Sequence, residues 1–540
     1  MSKLKKSKTP VLIVGGGLGG LSAALLLAHH GVDCLVVERH PGTSIQYKFA
    51  GISPRSMEIF RSAGIEEEIR ANQTGDQQAG GLARGKNLAD PNIEWMRGTA
   101  WQPVDGLSPT GPATCDQHVL EPILCANAEK RGAVVRFNTE LVSFEQDELE
   151  VAVVLRNRET GDESRIIADY LIAADGADGT TREALGIERE GVGILQHWMN
   201  IIFDTDMEPT IQGKQFTSCF ITDLNGTFTP RPGGRWLLSL QYYPERGEHT
   251  KDFDEDRCRE LVCKGAGRAD VKADLVDARP WEVAALIAER FCKGRVFLVG
   301  DTAHLMPPTG AFGGNTGIHD AHNLAWKLAL VLKGAADPSL LESYDSERRF
   351  VAQHSLDQAM ARLQAWFKDP NKQLPPPVEM VEDYDVVLGQ RYHDGALIAE
   401  DKTDDRPFEK ARELNGRPGS RAPHFAIEQN GRHISTLDLF SKNFVLLTGS
   451  EGAVWADASS RIARGANFRL DVQRFGTRGD LIDIDGRWPA AFNIEDDGVV
   501  LVRPDGFVAW RSRTRDTEPE RTLGNVLLQL GLSTRKTGVL

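Results

Sequence analysis

Cysteine is scarce in this chain. Seven are spread over 540 residues, at positions 34, 115, 125, 219, 258, 263 and 292, and none follows Cys292. They form no C-x-x-C pair and do not cluster with histidine, which excludes a disulfide framework and a cysteine-ligated zinc site and leaves reduced, mostly buried thiols. Positive charge is short as well: 63 Lys and Arg against 77 Asp and Glu give a net charge of −14. No basic field attracts phosphodiester backbones, so nucleic acid is not expected as a partner. Apolar runs long enough to span a bilayer are missing, and no hydrophobic signal segment follows the lysines of Met1–Lys8. A membrane association is therefore not expected, and the cytoplasm is the default location.

What is present reads as a large α/β protein. The run Val11–Val14 ends at a glycine cluster, Leu18–His30 is Ala- and Leu-rich and stops at Gly31, and Cys34–Val37 is a second apolar run. This is a strand–helix–strand opening. Two further apolar runs, Tyr170–Ala174 and Arg295–Val299, stop at Asp175-Gly176 and Gly300-Asp301, and Asn315–Leu332 carries one apolar stripe over a long helix. Between the two acidic stops, residues 191–281 alternate apolar and polar positions around turn signals such as Asn225-Gly226, predicting an inserted antiparallel sheet. Residues 365–420 contain Pro375-Pro376-Pro377 and many charges and read as a helical or linker boundary. From Arg421 to the end, short strands and helices predict a separate small α/β domain.

The segment Gly15-Gly16-Gly17-Leu18-Gly19-Gly20 satisfies G-x-G-x-x-G at Gly15, Gly17 and Gly20, between a strand and a helix. Its glycines permit a tight turn, close approach of the backbone to a pyrophosphate and close helix-to-strand packing, while the helix N-terminus presents free N–H groups to phosphate. Glu38 ends the second strand, followed by Arg39, and is placed to accept both hydroxyls of an adenosine ribose. Gly15, Gly17, Leu18, Gly19, Gly20, Glu38 and Arg39 are thus the candidate cofactor residues here. The loop alone does not distinguish FAD from NAD.

Two later motifs do. With YLIAADGADGTTR at 170–182 and GRVFLVGDTAHLMPPTGAFGGN at 294–315, the chain resembles the class A FAD-dependent aromatic hydroxylases of the para-hydroxybenzoate and phenol hydroxylase type. The likeness is greatest to the aromatic polyketide hydroxylases. It covers almost the whole chain. An aspartate at a strand end can accept hydrogen bonds from ribityl hydroxyls, which NAD lacks, and Asp301 is that candidate. The N–H groups of Gly314 and Asn315, at the start of the long helix, are placed for the flavin N1 and C2 carbonyl. The resemblance further implies a flavin contact for Gln117 in CDQHVLEP, an adenine-side position for Val142, and a role for Asp175 at the FAD pyrophosphate and the nicotinamide. It also implies a substrate-facing carbonyl for Pro308. Where relatives carry a Pro-Arg pair, this chain has Tyr47-Lys48, which keeps the charge and loses the bidentate fork.

The implied fold is a Rossmann-like FAD-binding domain (1–190 and 282–364) with an inserted antiparallel β-sheet substrate domain (191–281). The region 365–420 links it to a thioredoxin-like C-terminal domain (421–540), whose lack of cysteine excludes thiol–disulfide chemistry. That tail is expected to act as a packing or homodimer surface, separable from the flavin site. His304, His319 and His322 are read as packed polar residues, since nothing completes a metal-ligand set. The implied activity is NAD(P)H- and O2-consuming hydroxylation of a phenolic, polycyclic small aromatic substrate through a flavin C4a-hydroperoxide. No residue is assigned as general base. The alternatives are Baeyer–Villiger insertion on the same scaffold and a flavin-binding protein that holds a reactive intermediate without turnover. The PPTGAFGGN loop has no arginine to hold a peroxide anion, which favours hydroxylation.

Overall fold

The computed structural model describes residues 6–74, 81–95, 105–366, 374–401, 403–476 and 480–533. The glycine loop belongs to a sheet ordered Cys292–Lys293, Val296–Leu298, Glu163–Ala173, Lys6–Val14, Cys34–Val37, Val134–Arg136, with the meander Thr139–Gln146 and Val151–Asn157 alongside. Its central pairings are parallel. The apolar runs found in the sequence are its middle strands, and they are buried. The helix Leu18–His29 packs against the helix Phe312–Leu332. The latter starts three residues before the expected Asn315, because Ala311 takes a left-handed conformation (φ 55°) and launches the helix at Phe312. Burial extends around almost all of its circumference, so Asp320, His322, Asn323 and Lys327 are enclosed as well.

The second sheet is ordered His304–Leu305, Asp274–Ala288, Arg189–Asp204, Arg235–Tyr242, Gly226–Pro230, Ser218–Ile221, Leu82–Gly85, Glu94–Trp95. The inserted antiparallel sheet is therefore present, and it is larger than 191–281. It borrows two strands from residues 82–95, and Asp274–Ala288 continues across the expected boundary, paired with Arg189–Asp204 along its length. Side chains alternate across this sheet. Met199, Ile201, Phe203, Leu238 and Leu240 form a core that also contains Leu261 and Val262 of the helix Glu255–Ala266. Trp198, Asn200, Ile202, Leu237, Ser239 and Trp281 belong to the opposite face, turned toward the first domain.

In the C-terminal part, Phe444–Thr448 and Leu470–Arg474 pair in parallel around the helix Ala453–Ala463, followed by the antiparallel strands Val499–Val502 and Val508–Ser512 and the helix Pro519–Gln529. This order is compatible with a thioredoxin-like arrangement. The unit is not a loosely attached tail. Glu347, fully buried on the helix Ser343–Trp366, accepts hydrogen bonds from Lys327 Nζ at 2.9 Å and from Arg503 Nη1 and Nη2 at 2.8 and 2.9 Å. Asp505 accepts from Trp326 Nε1 at 3.1 Å, and the buried Arg421 grips Glu58. The region 365–420 is likewise more than a linker: among its described residues, Arg391 and Tyr392 are buried, and the Tyr392 hydroxyl accepts from Arg348 Nη1 at 3.1 Å. Charge pairs that straddle a sequence boundary are invisible to composition, so these contacts of the C-terminal part with the rest of the chain were not expected.

Candidate active site

Gly15 adopts φ +109° and donates its N–H to the Val37 carbonyl at 2.8 Å, closing the turn between the first two strands. A Cβ on Gly20 would collide with the Gly15 carbonyl, so the third glycine is required for helix and loop to touch. Leu18 and Gly19 open the helix, and an added Cβ on Gly19 would press on Val299 at 3.3 Å. The Glu38 carboxylate accepts from Gly16 N–H at 2.6 Å and from the His40 main-chain N–H at 2.9 Å. It is oriented by the loop and retains acceptor capacity for ribose hydroxyls. Arg39 is exposed, and its carbonyl accepts from Arg158 Nη1 at 3.0 Å. Val142 is 40% exposed at a register shift between Leu141 and Ser143.

The two acidic turns differ in character. Asp175 is heavily engaged: its carboxylate accepts from Thr181 N–H at 3.0 Å, Thr181 Oγ1 at 2.7 Å and Thr302 Oγ1 at 3.2 Å. It caps the strand end and ties both turns together. Asp301 lies in the turn Gly300–Thr302, and its carboxylate accepts no hydrogen bond from any described residue. It is reachable from the cleft yet walled by protein. Burial pushes its carboxyl above the usual range, while His304, Lys48 and Arg189 pull it down. An unpartnered acceptor at this position fits a ligand carrying hydroxyls.

The first-turn N–H groups of the helix Phe312–Leu332, which lack helical acceptors, include that of Gly314. The Phe49 ring lies against the bare face of Gly314. The Asn315 side chain has a separate structural task. Its Oδ1 accepts from Ser53 N–H at 2.9 Å and Ser56 Oγ at 2.6 Å, and its Nδ2 donates to the Gly51 and Ala311 carbonyls at 2.9 and 2.7 Å. Gln117 starts the helix Gln117–Lys130, donating its N–H to the Phe49 carbonyl at 2.8 Å and its amide to Glu121 Oε1 at 2.6 Å. Pro308 is exposed, and its carbonyl accepts from Ala311 N–H at 3.0 Å.

Several residues of the site were not among the candidates named from the sequence. Glu121, buried beside the glycine loop, accepts from Ser44 N–H at 2.7 Å. Burial pushes its carboxyl up, while Gln117, Ser44 and Lys48 pull it down and Glu38 adds to the rise. Lys48 thus acts on both Asp301 and Glu121, as the cation of the site despite the missing arginine fork. Arg189 donates to the Ala177 carbonyl at 3.1 Å and the Asp301 carbonyl at 2.9 Å, clamping the two acidic turns. Opposite, Asn200 Oδ1 accepts from Ser239 Oγ at 2.6 Å and Trp281 Nε1 at 2.8 Å, placing a polar spot in the sheet's inner face. His304 Nε2 meets Asp320 Oδ2 at 2.7 Å with both side chains fully buried, and among the described residues no cluster could hold a metal ion. No described helix is long and apolar enough to cross a membrane.

The chain matches the model of an FAD binding domain family over residues 8–359 and that of the aromatic-ring hydroxylase C-terminal family over residues 415–530. It belongs to the FAD-dependent aromatic-ring hydroxylases. It is 38% identical to a 4-methyl-5-nitrocatechol 5-monooxygenase from a Burkholderia species, covering 96% of this chain and 97% of that one. Identity is 37% to a tetracenomycin A2 monooxygenase-dioxygenase of Streptomyces glaucescens, over 94% of each chain. The solved structure of an aklavinone-11 hydroxylase with FAD and aklavinone superposes with a TM-score of 0.88 at 36% identity, covering 98% of this chain and 100% of that one. The protein is an FAD-dependent aromatic monooxygenase of the polyketide-hydroxylase kind.

Proposed function

We propose that this monooxygenase hydroxylates a polycyclic phenolic compound at a ring carbon, using NAD(P)H and dioxygen, in the cytoplasm and as a homodimer. The observation that carries the reading is the glycine loop with Glu38 and the unpartnered Asp301 on one domain, beside a second domain built on an eight-stranded sheet. The relatives named for tetracenomycin and aklavinone support a fused-ring substrate.

FAD bound in this cradle supplies electron transfer from NAD(P)H and activation of dioxygen for insertion of one oxygen atom. The protein contributes placement and electrostatics. Glu38 receives the ribose, Asp301 the ribityl hydroxyls and the glycine loop the pyrophosphate; Gln117, Val142 and Asp175 line the same path. The N–H of Gly314, with the positive end of the helix dipole, would stabilise negative charge on the bound flavin, whereas the N–H of Asn315 falls to the Ala311 carbonyl in the first helical turn. The Pro308 carbonyl keeps one lone pair after accepting from Ala311, leaving an acceptor for a substrate hydroxyl. Ile202, Leu237 and Trp281, on the face of the sheet turned toward the first domain, would help to exclude water from the reacting atoms. The test is a screen of polycyclic phenols for stimulation of NAD(P)H oxidation by the holoenzyme, with product masses. Stimulation with gain of one oxygen atom supports the reading, and oxidation indifferent to every aromatic compound contradicts it.

A further inference from the structure

At the open end of the substrate sheet lies a cavity of about 450 Å3 that no motif points to. Met207, Ile211, Pro230 and Trp236 supply its apolar surface, and Arg231 is its only cationic lining residue. Arg231 stands in the turn between the strands Gly226–Pro230 and Arg235–Tyr242, its side chain 14% exposed. It stacks over the Tyr47 ring at 5.2 Å and stands 3.5 Å from the fully buried Asp116, which precedes the helix Gln117–Lys130 without capping it through its side chain. Its guanidinium donates no hydrogen bond to any described residue, and its Nε is buried without a partner. Both Asp116 carboxylate oxygens and His118 Nδ1 are likewise buried without one. Buried polar atoms are rarely left in this state; of these residues Arg231 lines the cavity, with its ion-pair partner Asp116 behind it, and its incompletely satisfied guanidinium points to a ligand.

The position connects this surface to the cofactor cradle. Tyr47 touches Arg231, while Phe49, two residues on and at most about 7 Å away along the chain, lies against Gly314 at the head of the long helix. The short segment Tyr47–Phe49 thus contacts both the guanidinium and the helix head. Charge narrows the chemistry. Asp204 on the cavity wall is neutralised by Arg235 at 2.7 Å, but Asp206 and Glu208 stay close by and oppose a free carboxylate. A quinone carbonyl or phenolic oxygen meets no such repulsion and suits the planar fork.

We infer that Arg231, held from behind by Asp116 and flanked by Tyr47, binds the oxygen-bearing far edge of a polycyclic substrate and so selects for ring number. This inference rests on the substrate class proposed above. It predicts a length-dependent effect, measured by titrating the holoenzyme flavin spectrum with two probes, a dihydroxyanthraquinone and the single-ring phenol. Arg231→Met is expected to weaken anthraquinone binding by about tenfold or more while changing the phenol constant by less than about twofold. Arg231→Lys, which keeps charge without the fork, is expected to fall between, and Asp116→Asn to weaken the anthraquinone alone by a few fold. Bound FAD per chain reports that each variant is folded. Unchanged anthraquinone binding in Arg231→Met overturns the inference and leaves the substrate class standing, as does equal weakening of both probes. If neither probe perturbs the wild-type spectrum, the substrate class and this inference fall together.

Discussion

Replacing Asp301 by Asn separates cofactor binding from folding. The carboxylate takes no hydrogen bond from described residues, so its removal breaks no protein contact. Burial raises its pKa in the folded chain above the unfolded value. The sign follows: the folded state holds this proton to higher pH, stability falls as pH rises from the unfolded toward the folded pKa, and at neutral pH the ionised group opposes folding. Asparagine, neutral and of similar shape, is therefore expected to leave the apoprotein melting temperature at neutral pH unchanged or higher. FAD binding moves the other way. Loss of a charged acceptor for the ribityl hydroxyls costs about 1.5–3 kcal/mol, or about 10- to 150-fold in Kd. Flavin fluorescence titration of the apoprotein gives the constant, and thermal melts of the same sample give the stability. An FAD Kd within about twofold of wild type refutes the ribityl role, and a fall of several degrees in the apoprotein melt refutes the claim that the group is held for ligand rather than for structure.

Other outcomes follow from the buried charges. Glu347→Ala leaves Lys327 and Arg503 enclosed without their shared acceptor, and a loss of about 3–5 kcal/mol in denaturant unfolding is expected; a loss under about 1 kcal/mol would show that the pair is solvated. Truncation before Arg421 takes Arg421 from Glu58 and Arg503 from Glu347 together, so the shortened chain is expected to be insoluble or flavin-free, and a soluble, flavin-loaded truncation would contradict the interlock. His322 is fully buried and its pKa is lowered from 6.5 to about 3, chiefly by burial and then by Arg55. The unfolded chain binds this proton first, so stability falls as pH drops from 6.5 toward 3, and His322→Phe should flatten the pH dependence of the melt in that range. An unaltered slope would remove His322 as a source of acid sensitivity.

The architecture was readable where local patterns carry it. Continuous apolar runs ending at Gly15, Asp175 and Gly300 marked the parallel strands, because buried strands need apolar residues on both faces. Alternation and turn pairs likewise marked the inserted sheet. The placement of the motif residues at strand ends and helix starts was legible because those motifs require such turns. Lys48 was legible only as a retained charge, and Glu121 only as part of CDQHVLEP. Arg189 and Arg231 were not legible, since each acts through neighbours remote in sequence: Arg189 joins two turns lying before and after it, and Arg231 meets Asp116 from another domain. The same distance hid Arg421 on Glu58 and Arg503 on Glu347, so the C-terminal domain was expected to be separable when its charges complete the first domain's interior. The two strands at 82–95 were missed because they are short and lie outside the alternating block.

Hydroxylation and insertion into a ring C–C bond both add one oxygen atom, so the position of that atom decides the reaction. The direct measurement is turnover of the holoenzyme with NAD(P)H, a polycyclic phenol and isotopically labelled dioxygen, followed by structure determination of the product. One labelled atom in a new hydroxyl on a ring carbon is expected. Label in a lactone or ester oxygen would contradict ring hydroxylation, and unlabelled substrate recovered with all reducing equivalents in hydrogen peroxide would contradict the monooxygenase itself.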